Sequence, residues 1–426
     1  MLFFVVFSLL AVSFCVSCLE GPKGCEARSE ANPVRQRRRS RNAQILNDRL
    51  TFCLKNKPYS ILIVCTTTHL VTSPSPLYTM PSSPLDNDVN AHARKLDHIN
   101  LAFQSQIPEN QLDKRFYYEP LAAGHPTKDD HQPLSFLGKT FRAPLWVSSM
   151  TGGTQLAKTI NQNLAQACGQ FGFGMGLGSC RALLTEDTYL PDFDVRHLMG
   201  ENLPLYANLG IAQVEKLLQD NKLHLIDDLL QKLKADGLIV HINPLQEWLQ
   251  PEGDHIKHPP LYTLKLILDK KPNLKIIVKE VGSGFGPASM ADLLQLPIEA
   301  IDFGANGGTN FAMIELLRNN QDLKEQLMPL TQIGHSATEM LAFTNFLIEE
   351  LGNRVLCKQI IISGGVKNFL DGYYLTQNSS LPSVYAHAAS FLQHAQGPYA
   401  SLEQFVNTQL KGLAFAQQYL RVKPLQ

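Results

Sequence analysis

The chain has 426 residues, with 38 Lys and Arg balanced by 38 Asp and Glu. Zero net charge argues against a nucleic-acid binder, whose affinity rests on a basic surplus, and against a membrane-surface protein, which would also be expected to show a basic excess. Charged residues make up only 18% and hydrophobic residues 44%, so a large core is available, and a closed α/β barrel needs about 250 residues for one domain.

Composition changes along the chain. Residues 1–17, MLFFVVFSLLAVSFCVS, are nearly all apolar, but no Lys or Arg precedes them as the positive start of a signal peptide would. A basic cluster from Arg35 to Arg41, a second apolar patch at Tyr59–Cys65 and a Ser/Thr/Pro stretch follow without a persistent period of 2 or 3.6. The expectation is that Met80 is the true start and residues 1–79 are an extension from a mis-called start, or an apolar leader, and not a folded domain. Residues 80–426 then form a single catalytic domain. Of the 8 cysteines only Cys168, Cys180 and Cys357 lie in that domain. Three scattered thiols give neither a disulfide framework nor paired metal-ligand spacing, which fits the cytoplasm.

From Met80 onward short β-rich runs alternate with helical stretches, as a parallel α/β fold requires. The predicted strands are Leu145–Ser149, Phe173–Gly178, Leu205–Gly210, Leu238–Asn243, Lys275–Val281, Ala300–Gly304, Gln359–Ser363 and Ser383–His387. Eight such runs predict a (β/α)8 barrel. Leu330–Gly334 is too short to join them and reads as loop before a helix at Ala337–Leu351. Gln155–Phe171 and Val214–Ala235 carry apolar residues at helical spacing. The strands end in SSMTGG, GLGSCR, ANLG, HINPLQE, VKEVGSG, DFGANGG and SGGVK, so polar residues and glycines collect at the carboxyl ends, where barrel enzymes build their sites.

Several of these ends carry chemistry. In HINPLQEWLQPEGD, strand alternation puts His241 and Asn243 on one face; Pro244 then ends the strand, and Gln246, Glu247, Gln250, Glu252 and Asp254 are expected in a loop. One carboxylate among amides suits Mg²⁺, which keeps its waters and is shared with substrate phosphates. The runs Gly304–Thr309 and Gly364–Gly365 can offer backbone N–H groups to a phosphate. GSGFG at Gly282–Gly286 reads equally well as a tight βα turn. Lys279 lies on a strand among apolar residues, where burial demands a partner, and a ligand charge would supply one. Arg94 and Arg181 are candidate phosphate forks.

The ordered series RKLDHI, SSMTGG, GLGSCR, ANLG, HINPLQEWLQPEGD, VKEVGSGFG, DFGANGGTNF and SGGVK resembles the type 2, flavin-dependent isopentenyl-diphosphate isomerases. The resemblance implies an FMN-binding barrel that interconverts isopentenyl and dimethylallyl diphosphate in isoprenoid biosynthesis, using reduced FMN, Mg²⁺ and NADPH as reductant. It implies that Ser149, Met150, Thr151, Ser179, Asn208, Lys279, Thr309, Gly364 and Gly365 line the flavin site. Arg94, Lys95, Ser179, Cys180, Arg181 and Gln246 would meet the substrate; Gln246, His241 and Asn243 would serve catalysis, and Glu247 would hold the metal. The expected partners are a small diphosphate and further copies of the chain, with no nucleic acid and no stable membrane association. The sequence departs from the family at Lys367, where Arg is usual, at Phe311, where Trp is common, and in TQNSSLPSVYAHAASFL, which replaces an Ala-Leu-Gly-Ala flavin-phosphate segment. The alternative is an FMN barrel of the α-hydroxyacid oxidase type, which works with a His and an Arg late in the barrel.

Overall fold

The computed structural model describes residues 90–127, 133–149, 155–318 and 321–425. The expectations for residues 1–79 and for a start at Met80 lie outside these residues. The chain divides into two units, 1–99 and 100–426. The described part of the first carries most of the helix Ala91–Leu101.

In the second unit eight parallel strands close into a barrel. They are β1 (Leu145–Val147), β2 (Gly174–Gly176), β3 (Leu205–Gly210), β4 (Gly237–Ile242), β5 (Ile276–Glu280), β6 (Ala300–Asp302), β7 (Ile360–Ile362) and β8 (Ser383–His387). Each pairs with its successor, and β8 returns to β1. The strands sit where the apolar runs predicted them, because a parallel sheet covered on both faces selects continuous runs such as GLIVHI and IIVKE. Most are shorter than expected by one or two residues at their ends. The polar residues at their ends, such as Ser149, Asn243 and Ser363, lie just past the strands and line cavities at the carboxyl end of the barrel.

Trp146 of β1 is fully buried and meets Tyr206 of β3 edge-on at 6.2 Å. β2 opens on a glycine for that reason: a Cβ on Gly174 would lie 2.5 Å from the indole ring. The hairpin of Leu134–Phe136 and Lys139–Phe141 closes the amino-terminal mouth. Its turn residues Leu137 and Gly138 have φ of 50° and 72°, as a tight two-residue hairpin requires. Phe136 and Phe141 are fully buried and pack edge-to-face, and the Leu137 N–H donates to Gln359 at the entrance to β7.

Three helical expectations are refined. Gln155–Phe171 is one helix, as expected. Val214–Ala235 is two, Ile211–Gln219 and His224–Leu233, broken where Asn221 takes φ of 54°. Leu330–Gly334 is not all loop, since the helix Gln321–Thr331 runs into it, before the expected helix Ala337–Leu351. Among the described residues no helix is long and apolar enough to cross a membrane.

Candidate active site

The segment after β4 corrects the expected loop. Pro244–Leu249 is a short helix, entered by a proline at a first-turn position where its missing N–H costs nothing. Gln246 and Glu247 therefore sit on the first helical turns and point back over the strand end. Asn243, 3% exposed, donates from Nδ2 to Gln246 Oε1 at 3.1 Å and to Glu247 Oε1 at 3.0 Å. Glu247 Oε2 accepts the Asp254 N–H at 2.7 Å. Gln246 in turn donates to Glu315 Oε1 at 3.2 Å, and Glu315 Oε2 receives Arg318 Nη1 at 2.9 Å. The buried Glu315 belongs to helix Phe311–Arg318, and nothing in its local sequence ties it to this segment.

Beneath these residues lies a row of polar groups in register. His241 stands opposite Lys279, and Lys279 opposite Asp302, on β4, β5 and β6. His241 Nδ1 lies 2.8 Å from Asn208 Oδ1, whose amide also donates from Nδ2 to the Leu177 carbonyl at 3.1 Å. That orientation makes Nδ1 the donor and leaves Nε2 bare. Burial, with the nearby Lys279 ammonium, pushes His241 down to about 4, so the ring is neutral at physiological pH.

Lys279 differs from expectation. Its charge is met inside the protein by the fully buried Asp302 at 3.3 Å, and its ammonium also donates to the Glu280 carbonyl at 3.0 Å. Ser363, just after β7, donates to Asp302 Oδ1 and accepts the Gly304 N–H at 2.8 Å. Asp302 and Ser363 were not singled out in the sequence. The signal was a carboxylate inside an otherwise apolar strand, which must have a buried partner.

GSGFG is a structural turn. Glu280 Oε2 accepts the N–H groups of Gly282, Ser283 and Gly284, each at 2.7 Å. Burial pushes the Glu280 carboxyl up, against the pull of those three donors.

The other two glycine runs pack backbone to backbone. Gly364 has φ of 86°, and a Cβ there would lie 2.0 Å from the Ala305 carbonyl oxygen. A Cβ on Gly308 would lie 3.1 Å from the Gly365 nitrogen. The two runs share a cavity of about 230 Å³ with Ser149, Lys279, Thr309, Phe311 and Lys367. Five of the expected flavin-site residues (Ser149, Lys279, Thr309, Gly364 and Gly365) thus meet at one place. Met150 and Thr151 lie outside the described residues.

The remaining candidates divide. Arg181 opens the short helix Arg181–Leu184 after β2 and is bound end-on by Asp254, at 2.6 Å and 3.4 Å. Ser179 beside it is exposed. The Cys180 side chain is fully buried in the core and turned toward the Gly178 carbonyl at 3.3 Å, and burial pushes the thiol up to about 12. Arg94 and Lys95 lie on helix Ala91–Leu101, in the first unit. Among the described residues no cluster of three or more His, Cys, Asp or Glu is arranged to hold a metal by itself.

A parallel eight-stranded barrel with a glycine cradle and an amide–carboxylate segment at its carboxyl mouth is an α/β-barrel enzyme. An isopentenyl-diphosphate delta-isomerase of Rickettsia africae is 32% identical over 331 residues, covering 75% of this chain and 91% of that one. The isopentenyl-diphosphate delta-isomerase of Pelodictyon phaeoclathratiforme is 35% identical over 237 residues, or 55% of this chain and 65% of that protein, slightly under two-thirds of its length. The chain belongs to the isopentenyl-diphosphate delta-isomerase family, a family of isomerase enzymes. No protein-family profile matches it. Among solved structures, a mandelate oxidase carrying a monooxide FMN adduct is 13% identical, with 73% of this chain and 88% of that chain covered and a TM-score of 0.46.

Proposed function

We propose that this protein interconverts isopentenyl and dimethylallyl diphosphate as a type 2 enzyme, in the cytoplasm, with reduced FMN, Mg²⁺ and NADPH as reductant. The observation that carries the proposal is the Asn243–Gln246–Glu247 hydrogen-bonded chain at the end of β4. It presents one carboxylate and one oriented amide to the mouth of the barrel.

The residues present fit the flavin. The cavity beside Gly307, Gly308, Gly364 and Gly365 is walled by backbone where a phosphate needs N–H donors, and Lys279 and Ser149 stand elsewhere on its wall. Reduced flavin, when bound, would supply the acid–base chemistry that moves the double bond. They also fit Mg²⁺. Each Glu247 oxygen accepts one hydrogen bond and keeps a lone pair, and a single carboxylate suits an ion shared with the substrate diphosphate.

The roles of the chain's own side chains follow. Arg181 would grip the diphosphate, whose binding energy fixes the alkene against the mouth. Gln246, locked between Asn243 and Glu315, would orient the alkene end. His241 is neutral and fixed by Asn208, so it adds no charge beneath the site that would repel a cationic intermediate. Family membership disfavours the oxidase alternative.

The test is turnover. Purified protein loaded with FMN is expected to be yellow, to bleach when NADPH reduces the flavin, and then, with Mg²⁺, to convert isopentenyl to dimethylallyl diphosphate. A flavin-loaded protein that oxidises 2-hydroxy acids and leaves the diphosphate unchanged would overturn the proposal.

A further inference from the structure

The Arg181 guanidinium is held by a carboxylate in the geometry a phosphate would use. Its Nη1 and Nη2 both face Asp254, at 2.6 Å to Oδ2 and 3.4 Å to Oδ1. This pair is open to water, with the Arg181 side chain 60% and the Asp254 side chain 34% exposed. By contrast, the Lys279–Asp302 pair deeper in the mouth is 8% and 0% exposed. An exposed ion pair is weakly held and exchanges readily, whereas a sealed one does not.

Asp254 has a second hold that does not depend on Arg181. Gln213 Nε2 donates to Asp254 Oδ2 at 2.8 Å, and Gln213 Oε1 is itself fixed by the Gly210 N–H at 2.7 Å. The carboxylate therefore keeps a donor when the guanidinium leaves. The Asp254 backbone N–H meanwhile caps Glu247. One residue thus touches both the phosphate arginine and the metal carboxylate.

We propose that Asp254 is an internal counter-ion that occupies Arg181 while the site is empty and yields it to the incoming diphosphate. The inference rests on the reading that Arg181 meets the substrate diphosphate. It adds a competitor for that arginine, supplied by the PEGD end of the β4 segment. The carboxylate keeps the arginine side chain directed along the mouth and sets a threshold that an anion must exceed to displace it.

The experiment is calorimetric titration of the full chain with inorganic diphosphate, in the wild type, Asp254→Asn, Arg181→Ala and the double variant. Asn keeps the size of the side chain and removes its charge. Asp254→Asn is expected to bind diphosphate roughly three- to tenfold more tightly than wild type. Arg181→Ala should bind it more weakly, and adding Asp254→Asn to Arg181→Ala should restore little of the gain. Circular dichroism and the melting temperature of each variant establish that it is folded. If Asp254→Asn binds diphosphate no better, or worse, while Arg181→Ala weakens it, the counter-ion proposal alone is overturned. If Arg181→Ala leaves diphosphate binding unchanged, the assignment of Arg181 falls, and this inference with it.

Discussion

Neighbouring strands β4 and β5 are each followed or ended by a carboxylate, Glu247 in the helix after β4 and Glu280 at the end of β5, and the two are put to opposite uses. Glu280, ending β5, spends one oxygen on three successive backbone N–H groups. Its partners cannot move without unmaking the turn. Glu247, past β4, is held by one side-chain amide and one backbone N–H, and its neighbours Gln246, Arg181 and Asp254 bond mainly through side chains. The same contrast separates the sealed Lys279–Asp302 pair from the open Arg181–Asp254 pair. A charge fixed by backbone or by burial builds the scaffold. A charge held by exchangeable side chains is available to a ligand.

The strongest way to break this comparison is at Asp302. Asp302→Ala would leave the Lys279 ammonium buried without its counter-charge, a loss of about 3–5 kcal/mol, read as a large fall in melting temperature. An unchanged melting temperature would mean that the pair is not structural. Glu280→Ala should follow, costing roughly 2–3 kcal/mol by leaving turn N–H groups without an acceptor. Glu247→Ala should leave chemical denaturation nearly unchanged, and equal losses at the two carboxylates would erase the distinction.

Acid sharpens the comparison further. Burial pushes both His241 and His387 from 6.5 down to about 4. The unfolded chain takes up these protons first, so their contribution is intact above about pH 6.5 and is lost as the pH falls toward 4. Each contributes up to roughly 3 kcal/mol over that window. Glu280, raised by burial, works in the opposite sense, because its folded form binds a proton more readily than the unfolded chain. Replacing His387 by Phe, among Tyr385, Phe391 and Phe405, should flatten the melting-temperature profile below pH 6.5; an unaltered slope would show that His387 is not the group responsible. Arg181 is expected to act on binding and not on stability. Arg181→Ala should raise the Michaelis constant for the diphosphate by a factor equivalent to about 1.5–3 kcal/mol, with little change in stability.

The fold was legible because parallel strands buried on both faces leave continuous apolar runs, and their order along the chain is the order around the barrel. The glycine cradle was legible for a related reason. Gly364 is demanded by its φ and by backbone approach, Gly308 is favoured by a close one, and a sequence shows glycine directly. The helix at Pro244–Leu249 was missed because Pro244 ends a strand and begins a helix equally well, and only the fold decides between them. Asp302, Ser363 and Glu315 were missed because their partners lie on other strands and helices, and spacing along the chain does not encode those contacts. The burial of Cys180 was not legible because a residue between Ser179 and Arg181 shares their segment without sharing their exposure.

The account turns on the end of β4, and Glu247→Gln tests it most directly. Flavin content, melting temperature and isopentenyl diphosphate turnover would be measured across a Mg²⁺ titration, beside the wild type. The variant is expected to keep its flavin and its melting temperature, to lose about a hundredfold in turnover, and to respond weakly to Mg²⁺. A variant that turns over as wild type does, with the same Mg²⁺ dependence, would contradict the assignment of the metal and of the chemistry to this segment.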